Sequence, residues 1–287
     1  MTKEMRQLKI QPVTATPREE VVQHVAEHLK LIDKWIDKAK IDMRLNAHIC
    51  SGGPSLEKYI SQVEEIKEGH PDKEFNKIWC VKHALPRLKA IGITPDYCVI
   101  LDGRPFNEHS THGELRSDLI KSASKDTVFF VASMTHPDYT HYLLENGYTV
   151  IGWHCLTDGL KDFGNVVKYA VAGGTSSCVR TVGVAHTLGF RRGTIYGADS
   201  SLKERMPKGK APKEYFEAWV GLDANRVGPI PTTGELAAQS LDIERAIIDE
   251  GQDFELDVKC DGLVGEIIKQ RVNVTKKRPY QEILGIK

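Results

Sequence analysis

Short apolar runs alternate with helix-period stretches through most of this chain. The runs Ala47–Cys50, Ile78–Val81, Tyr97–Leu101, Val128–Ala132, Thr149–Trp153 and Thr194–Tyr196 have the length and composition of buried strands. Between them, Leu56–Glu68, Ala84–Ile91, Tyr139–Asn146 and Cys178–Leu188 have helical spacing. Strands that alternate with helices predict an α/β fold: a mainly parallel sheet with helices on both faces.

Two flanking regions extend this pattern. Residues 1–15 read as an irregular lead-in. Thr16-Pro17-Arg18-Glu19 has the form of a capping box with Pro at the first helical position. Val21, Val22, Val25, Leu29, Ile32 and Ile36 then predict a helix packed on the outside of the main domain. After the sheet region, residues 203–213 are charged and rich in Pro and Gly, which reads as an exposed loop. Tyr215–Val220 and Arg226–Ile230 are expected to pair across Asp223-Ala224-Asn225. Thr233 is expected to cap a helix to about Asp249, with Leu236, Ser240, Ile243 and Ile247 on one face. Phe254–Val258 reads as a last strand, and the tail from Lys276 as loosely ordered. The organisation expected is residues 1–45 as lead-in and helix, 46–265 as a nucleotide-binding transferase domain with a C-terminal helical and hairpin extension, and 266–287 as a tail.

Composition narrows the class of function. The chain has 287 residues, with 39 Lys plus Arg against 39 Asp plus Glu, so the formal net charge is zero. This argues against a partner held by a strong overall basic field. No apolar run approaches the roughly 20 residues of a bilayer span, and the N-terminal residues lead into no apolar segment of a secretory signal. The six cysteines are scattered without a C-x-x-C pair and read as reduced core residues of a cytoplasmic protein.

Candidate chemistry gathers at predicted strand ends. Ser51-Gly52-Gly53-Pro54-Ser55-Leu56 follows the first strand, and Gly173-Gly174-Thr175-Ser176-Ser177 opens the helix at Cys178. Glycine admits close backbone approach, and a helix N-terminus offers free N–H groups to a phosphate. Gly52, Gly53, Pro54, Ser55, Gly173, Gly174, Thr175, Ser176 and Ser177 are therefore candidate nucleotide contacts. For the first turn a plain strand-to-helix connection, with Ser55 as N-cap, stands beside that reading; it has neither the Walker A nor the G-x-G-x-x-G form. Asp102 and Asp199 follow strands and suit a base, a hydroxyl ligand or a turn cap, with Asp102 also a candidate Mg²⁺ ligand. Arg104 is a candidate phosphate contact or an ordinary surface arginine. His109 and His112 follow Asp102 in a polar segment. Among eleven histidines, His136 and His154 are the candidate acid or base, because both follow strands.

The G-G-P-S-L turn, the P-D-Y-x-x-x-x-D segment (Pro95, Asp96, Tyr97, Asp102), the G-G-T-S-S segment and Ala185–Arg192 with Tyr196-Gly197-Ala198-Asp199 resemble the MptE-like family. That family includes archaeal 6-hydroxymethylpterin diphosphokinases and Maf flagellin glycosyltransferases, and bacteriophages carry members of unassigned role. It is similar in turn to bacterial CMP-sialic-acid sialyltransferases. The resemblance spans roughly residues 45–265. It implies a Rossmann-like sheet with a nucleotide across the two glycine segments, Asp199 at the pocket edge, and a nucleotide or nucleotide sugar of CMP or UDP type as ligand. The sialyltransferases carry their catalytic histidine before the late helix; here that stretch is Pro229-Ile230-Pro231-Thr232-Thr233-Gly234, without histidine.

Three functions follow. The first is glycosyl transfer from a nucleotide sugar to an acceptor that is a small molecule, a protein or a DNA base. The second is Mg²⁺-dependent diphosphate transfer from ATP through Asp102. The third is a non-catalytic nucleotide-binding or interaction module. The sequence leaves donor base, acceptor and oligomeric state open.

Overall fold

The computed structural model describes residues 16–68, 71–109, 115–121, 123–167, 169–204, 215–221, 226–248 and 253–277. The sheet strands are β1 (Asn46–Cys50), β2 (Asn76–Val81), β3 (Tyr97–Ile100), β4 (Val128–Ala132), β5 (Val150–Cys155), β6 (Ala170–Val171), β7 (Arg192–Tyr196) and, after the hairpin β8 (Tyr215–Val220) and β9 (Val227–Thr233), β10 (Glu255–Lys259). The eight sheet strands lie in the order β10-β7-β1-β2-β3-β4-β5-β6, and every pairing between them is parallel. The last four residues of β1, β2 and β5 are all buried. Successive strand residues point to opposite faces, so burial of all of them requires that both faces be covered. Trp79, Trp153, Phe129 and Phe130 fill the core.

The expected helices are present as α2 (Leu56–Glu68), α3 (Leu85–Ala90, entered through a 3-10 turn at Lys82–Ala84), α5 (Pro137–Glu145) and α6 (Ser177–Thr187). A short α4 (Asp118–Lys121), β6 and α8 (Gly262–Lys277) were not legible as elements, and α8 runs through residue 265. The hairpin forms antiparallel as expected, with its turn outside the described residues. Thr233 caps α7 (Gly234–Ile248), its hydroxyl accepting from Leu236 N–H at 3.3 Å. Ser240 and Ile243 are buried on the inner face of α7, but Ile247 is exposed. The lead-in, His112, most of the 203–213 loop and the last residues of the tail lie outside the described residues.

The N-terminal helix differs from its expected form. It runs from Arg18 to Leu31 as α1, and no side chain caps it; Pro17 stands at the cap, and Thr16 is buried against Gly103. The capping box does not form, because Thr16 is committed to packing. Ile32 and Ile36 continue the apolar spacing but lie beyond the helix. Lys34 and Ile36 instead bond to the two backbone groups of Gly152 in β5, at 2.8 and 2.7 Å, and Trp35 stacks on His154 with ring centroids 4.3 Å apart. The helical period here marks one buried face shared by a helix and an extended strap.

His28 in α1 and His154 beneath the strap are both buried. His28 Nε2 meets Thr140 Oγ1 at 2.8 Å, and His154 Nδ1 meets Ser133 Oγ at 2.9 Å. Burial pushes both imidazoles down to about 4. A histidine with an ordinary value near 6.5 in the unfolded chain then takes up its proton more readily when unfolded. Stability is therefore full above about pH 6.5 and falls as the pH drops toward 4, by up to about 3 kcal/mol per histidine. Urea unfolding at pH 7.5 and 5.0 should show this loss, and His28→Gln should reduce the difference. Equal midpoints at both pH values would overturn it.

Candidate functional site

The chain leaves β1 to build β2 through β6 on one side, then returns to place β7 on the other side of β1. Ligands of such sheets bind beyond the carboxyl ends of the strands where the order reverses, here between β1 and β7. The turn after β1 is stitched to the end of β7: Ser51 N–H donates to Tyr196 O and Gly53 N–H to Gly197 O, both at 2.8 Å. A Cβ on Gly53 would lie 2.3 Å from the Gly197 oxygen. The need for glycine at this position thus comes from a neighbouring backbone.

Asp199 closes this junction. Its carboxylate is almost wholly buried and accepts from Ser55 N–H at 2.7 Å, from the Ser55 hydroxyl, and from Asp261 N–H at 2.9 Å. The N-terminus of α2, the natural seat for a phosphate, is therefore filled by an anion of the chain itself. Pro54 and Gly52 complete the turn, with Gly52 against His83, and Arg87 Nη1 donates to Gly53 O at 2.7 Å.

The second glycine turn repeats this device. Gly173 and Gly174 have φ of 118° and 57°, in the region glycine alone enters freely. Asp242 of α7 accepts from Thr175 N–H at 2.7 Å and from its hydroxyl at 2.9 Å. Ser176 caps α6, accepting from Cys178 N–H at 3.1 Å. Ser177 is half-buried at the first turn of α6. Of the three hydroxyls in this segment, two have structural partners.

Asp102 lies beyond β3, nearly fully buried. Arg104 grips it with its backbone N–H at 3.1 Å, Nε at 2.8 Å and Nη2 at 3.1 Å, and Lys82 Nζ binds the other oxygen. Burial opposes its ionisation, but Arg104 and Lys82 overcome this and hold the carboxyl down at about 2. Lys82 also reaches Tyr139 Oη at 3.1 Å. Burial pulls Lys82 below its usual value, while Asp102 opposes that shift. A carboxylate whose lone pairs are all engaged by cations is a poor Mg²⁺ ligand. Among the described residues no group of three His, Cys, Asp or Glu side chains is placed to hold a metal ion.

His136 caps α5, with Nδ1 turned to Asp138 N–H at 3.4 Å, and its own N–H donates to Asp102 O at 2.9 Å. It sits at the same strand edge as Asp102 and is partly exposed. His154, in contrast, is sealed against Trp35, away from solvent. His109 pairs through its backbone with Leu115. All six cysteines are buried and free, and burial raises the thiol of Cys178 to about 12. Two cavities of about 230 and 240 Å³ lie elsewhere: one lined by Arg44, Asn46, Asn76 and Arg192 where strands begin, the other by Ile93 and Pro95 ahead of β3. Neither contains the candidate chemistry.

Lys82, Arg116 and Asp242 were missed in the sequence. Lys82 immediately follows a strand, the same placement that marks Asp102 and Asp199, so its position was a usable signal. Arg116 and Asp242 reach the site only through tertiary packing.

Sheet order and site position define a Rossmann-like α/β protein with its candidate site at the switch point. The 6-hydroxymethylpterin diphosphokinase MptE-like family model matches residues 20–205, and the chain belongs to this MptE-like family. Its fold is similar to that of a Maf glycosyltransferase from Magnetospirillum magneticum AMB-1, at 14% identity and a TM-score of 0.59, covering 86% of this chain and 37% of the other. The chain thus corresponds to well under half of that protein. A mutant of the alpha-2,3/8-sialyltransferase CstII aligns at 13% identity and a TM-score of 0.37, covering 77% and 88% of the two chains. No curated protein matches the sequence. Among the described residues no helix is long and apolar enough to cross a membrane.

Removing the Asp199 carboxylate would strand two N–H donors and a hydroxyl at the junction of β1, β7 and α8. Asp199→Ala should cost about 3 kcal/mol. Urea denaturation would measure this, and a loss under 1 kcal/mol would show that the junction does not depend on the carboxylate.

Proposed function

We propose that this chain is a nucleotide-dependent transferase that moves a glycosyl group from a nucleotide-activated sugar to an acceptor hydroxyl. The observation that carries the reading is the state of the carboxylates at the strand edge. Asp102 and Asp199 are engaged by cationic, N–H and hydroxyl donors, while Lys82, Arg104 and Arg116 gather beside Asp102. Such an edge favours neutralising a leaving phosphate with fixed positive charge over coordinating a metal through paired acids.

In this reading the bond between the sugar carbon and the donor phosphate oxygen breaks. The bond to the acceptor oxygen forms, and the acceptor gives up its proton. His136 is the best-placed group to take that proton: it is partly exposed, and Nδ1, which accepts from Asp138 N–H and is therefore the unprotonated nitrogen of the neutral ring, would be the accepting atom. His154 is enclosed and Asp102 is saturated, so neither suits the role. The solved Maf protein, which shares the fold, is described as a glycosyltransferase. The region of residues 46–265 would be the working domain.

The family description favours a second reading, diphosphate transfer from ATP. The engaged state of Asp102 does not fit a metal ligand, so no step is assigned to Mg²⁺ through it. The third reading, an interaction module without chemistry, is consistent with Thr232 and Thr233 standing where the sialyltransferases carry histidine.

Thermal unfolding in the presence of CMP, UDP, GDP, ADP, ATP and sugar conjugates, with and without Mg²⁺, separates these readings. A ligand at a hundred times its Kd stabilises by about 2.7 kcal/mol. A metal-independent rise in Tm with one nucleotide and its sugar conjugate is expected, and Ser177→Arg should abolish it. A rise with ATP and Mg²⁺ alone would replace the reading with diphosphate transfer. No rise with millimolar ligand would favour the interaction module.

A further inference from the structure

One buried cation at the strand edge has two donor nitrogens, Nε and Nη1, without a hydrogen-bond acceptor among the described residues. Arg116, just ahead of α4, has a side chain only 5% exposed. Its Nε lies 3.6 Å from Asp102 Oδ2 and its Nη1 lies 3.7 Å from Glu108 Oε2, both beyond hydrogen-bond distance. Neither nitrogen has an acceptor. A guanidinium cannot discard its charge, so a buried one with unfilled donors needs an acceptor more than any neutral group does.

Asp102 cannot supply that acceptor. One of its oxygens takes the backbone N–H and Nε of Arg104; the other takes Lys82 Nζ and Arg104 Nη2. Three basic side chains therefore surround one buried carboxylate, and its oxygens are filled before Arg116 is served. The other acids that face the group are Glu108, whose side chain is 64% exposed, and Glu235 at the start of α7, which acts on Arg104. The three cations come from two connections, Lys82 from the one after β2 and Arg104 and Arg116 from the one between β3 and α4, and they meet around Asp102 beyond the strand ends. Arg104, one-third exposed, opens the cluster to solvent.

We propose that Lys82, Arg104 and Arg116 form a seat for a phosphoryl oxyanion, with Asp102 as the fixed counter-charge that holds them together. The Nε and Nη2 donors of Arg104 are turned to Asp102, so the unfilled guanidinium donors of Arg116 would take the phosphate oxygens, with Arg104 and the Lys82 ammonium as fixed charges beside them. The seat is distinct from both glycine turns, where Asp199 holds the Ser55 donors and Asp242 holds the Thr175 donors. This deepens the transferase reading and rests on it in one respect: the phosphate would be that of the nucleotide donor. Free inorganic phosphate or diphosphate offers the same chemistry.

Isothermal titration of the full chain with inorganic pyrophosphate, and separately with nucleoside diphosphates, tests the seat. Wild-type protein should bind pyrophosphate. Arg116→Gln and Arg104→Gln should each weaken it at least tenfold. Arg44→Gln, at the opposite edge and paired with Asp42, should stay within twofold. Arg104 lies at the rim, so its variant keeps the test open if Arg116→Gln fails to fold. Undiminished affinity in Arg104→Gln, or no pyrophosphate binding to wild type at millimolar concentration, would overturn the seat. Pyrophosphate binding that is lost in the variants, without binding of any nucleoside diphosphate, would keep the seat and remove the nucleotide-donor reading. Nucleotide binding that survives in both variants would do the reverse.

Discussion

A parallel sheet gathers unsatisfied helix N-termini at the carboxyl edge of its strands, and this constraint organises the molecule. Each such terminus presents N–H groups that need acceptors. At α2 and α6 the chain answers with its own carboxylates: Asp199 for the Ser55 donors and Asp242 for the Thr175 donors. Asp199 also holds Asp261 N–H, so one side chain joins the ends of β1, β7 and β10. Asp242 ties α7 down beside α6. The hairpin and α7 are thereby fixed over the edge, with Thr232 bonded to Ser200 O.

The charge balance at the edge changes as a result. The N-terminus of α2 is met internally by Asp199, and the donors left without an acceptor among the described residues lie on Arg116, beside Asp102. A buried carboxylate is stable there because its lone pairs are filled. The same crowding leaves Nε and Nη1 of Arg116 without an acceptor. The place where guanidinium donors are left unfilled, more than the place where glycines cluster, is therefore the natural point for an anion to enter.

The N-terminal segment shows a limit of periodicity. Val21, Val25, Ile32 and Ile36 are all buried, as their spacing predicts. Spacing reports which residues face the core, but it does not report where hydrogen bonding passes from i→i−4 to a strand edge. The backbone of β5 at Gly152 was available to the chain after Leu31, and pairing with it ended the helix. Thr16 likewise had the composition of a cap but was taken by packing.

The sequence by itself determined the alternation of strands and helices, their bounds to within a few residues, the hairpin, and the location of Asp102, Asp199 and His136 at strand ends. These are local or periodic properties, carried by side-chain polarity along the chain. Tertiary structure decided strand order, the termination of α1, and the partners of every polar group at the edge. Ser55 reads as a phosphate donor until Asp199, 144 residues away, takes both its hydrogen bonds. Asp102 reads as a metal ligand until Lys82 and Arg104 fill its oxygens. A residue's type fixes what it can bond to; which bonds remain free for a ligand depends on contacts that only the folded chain brings together.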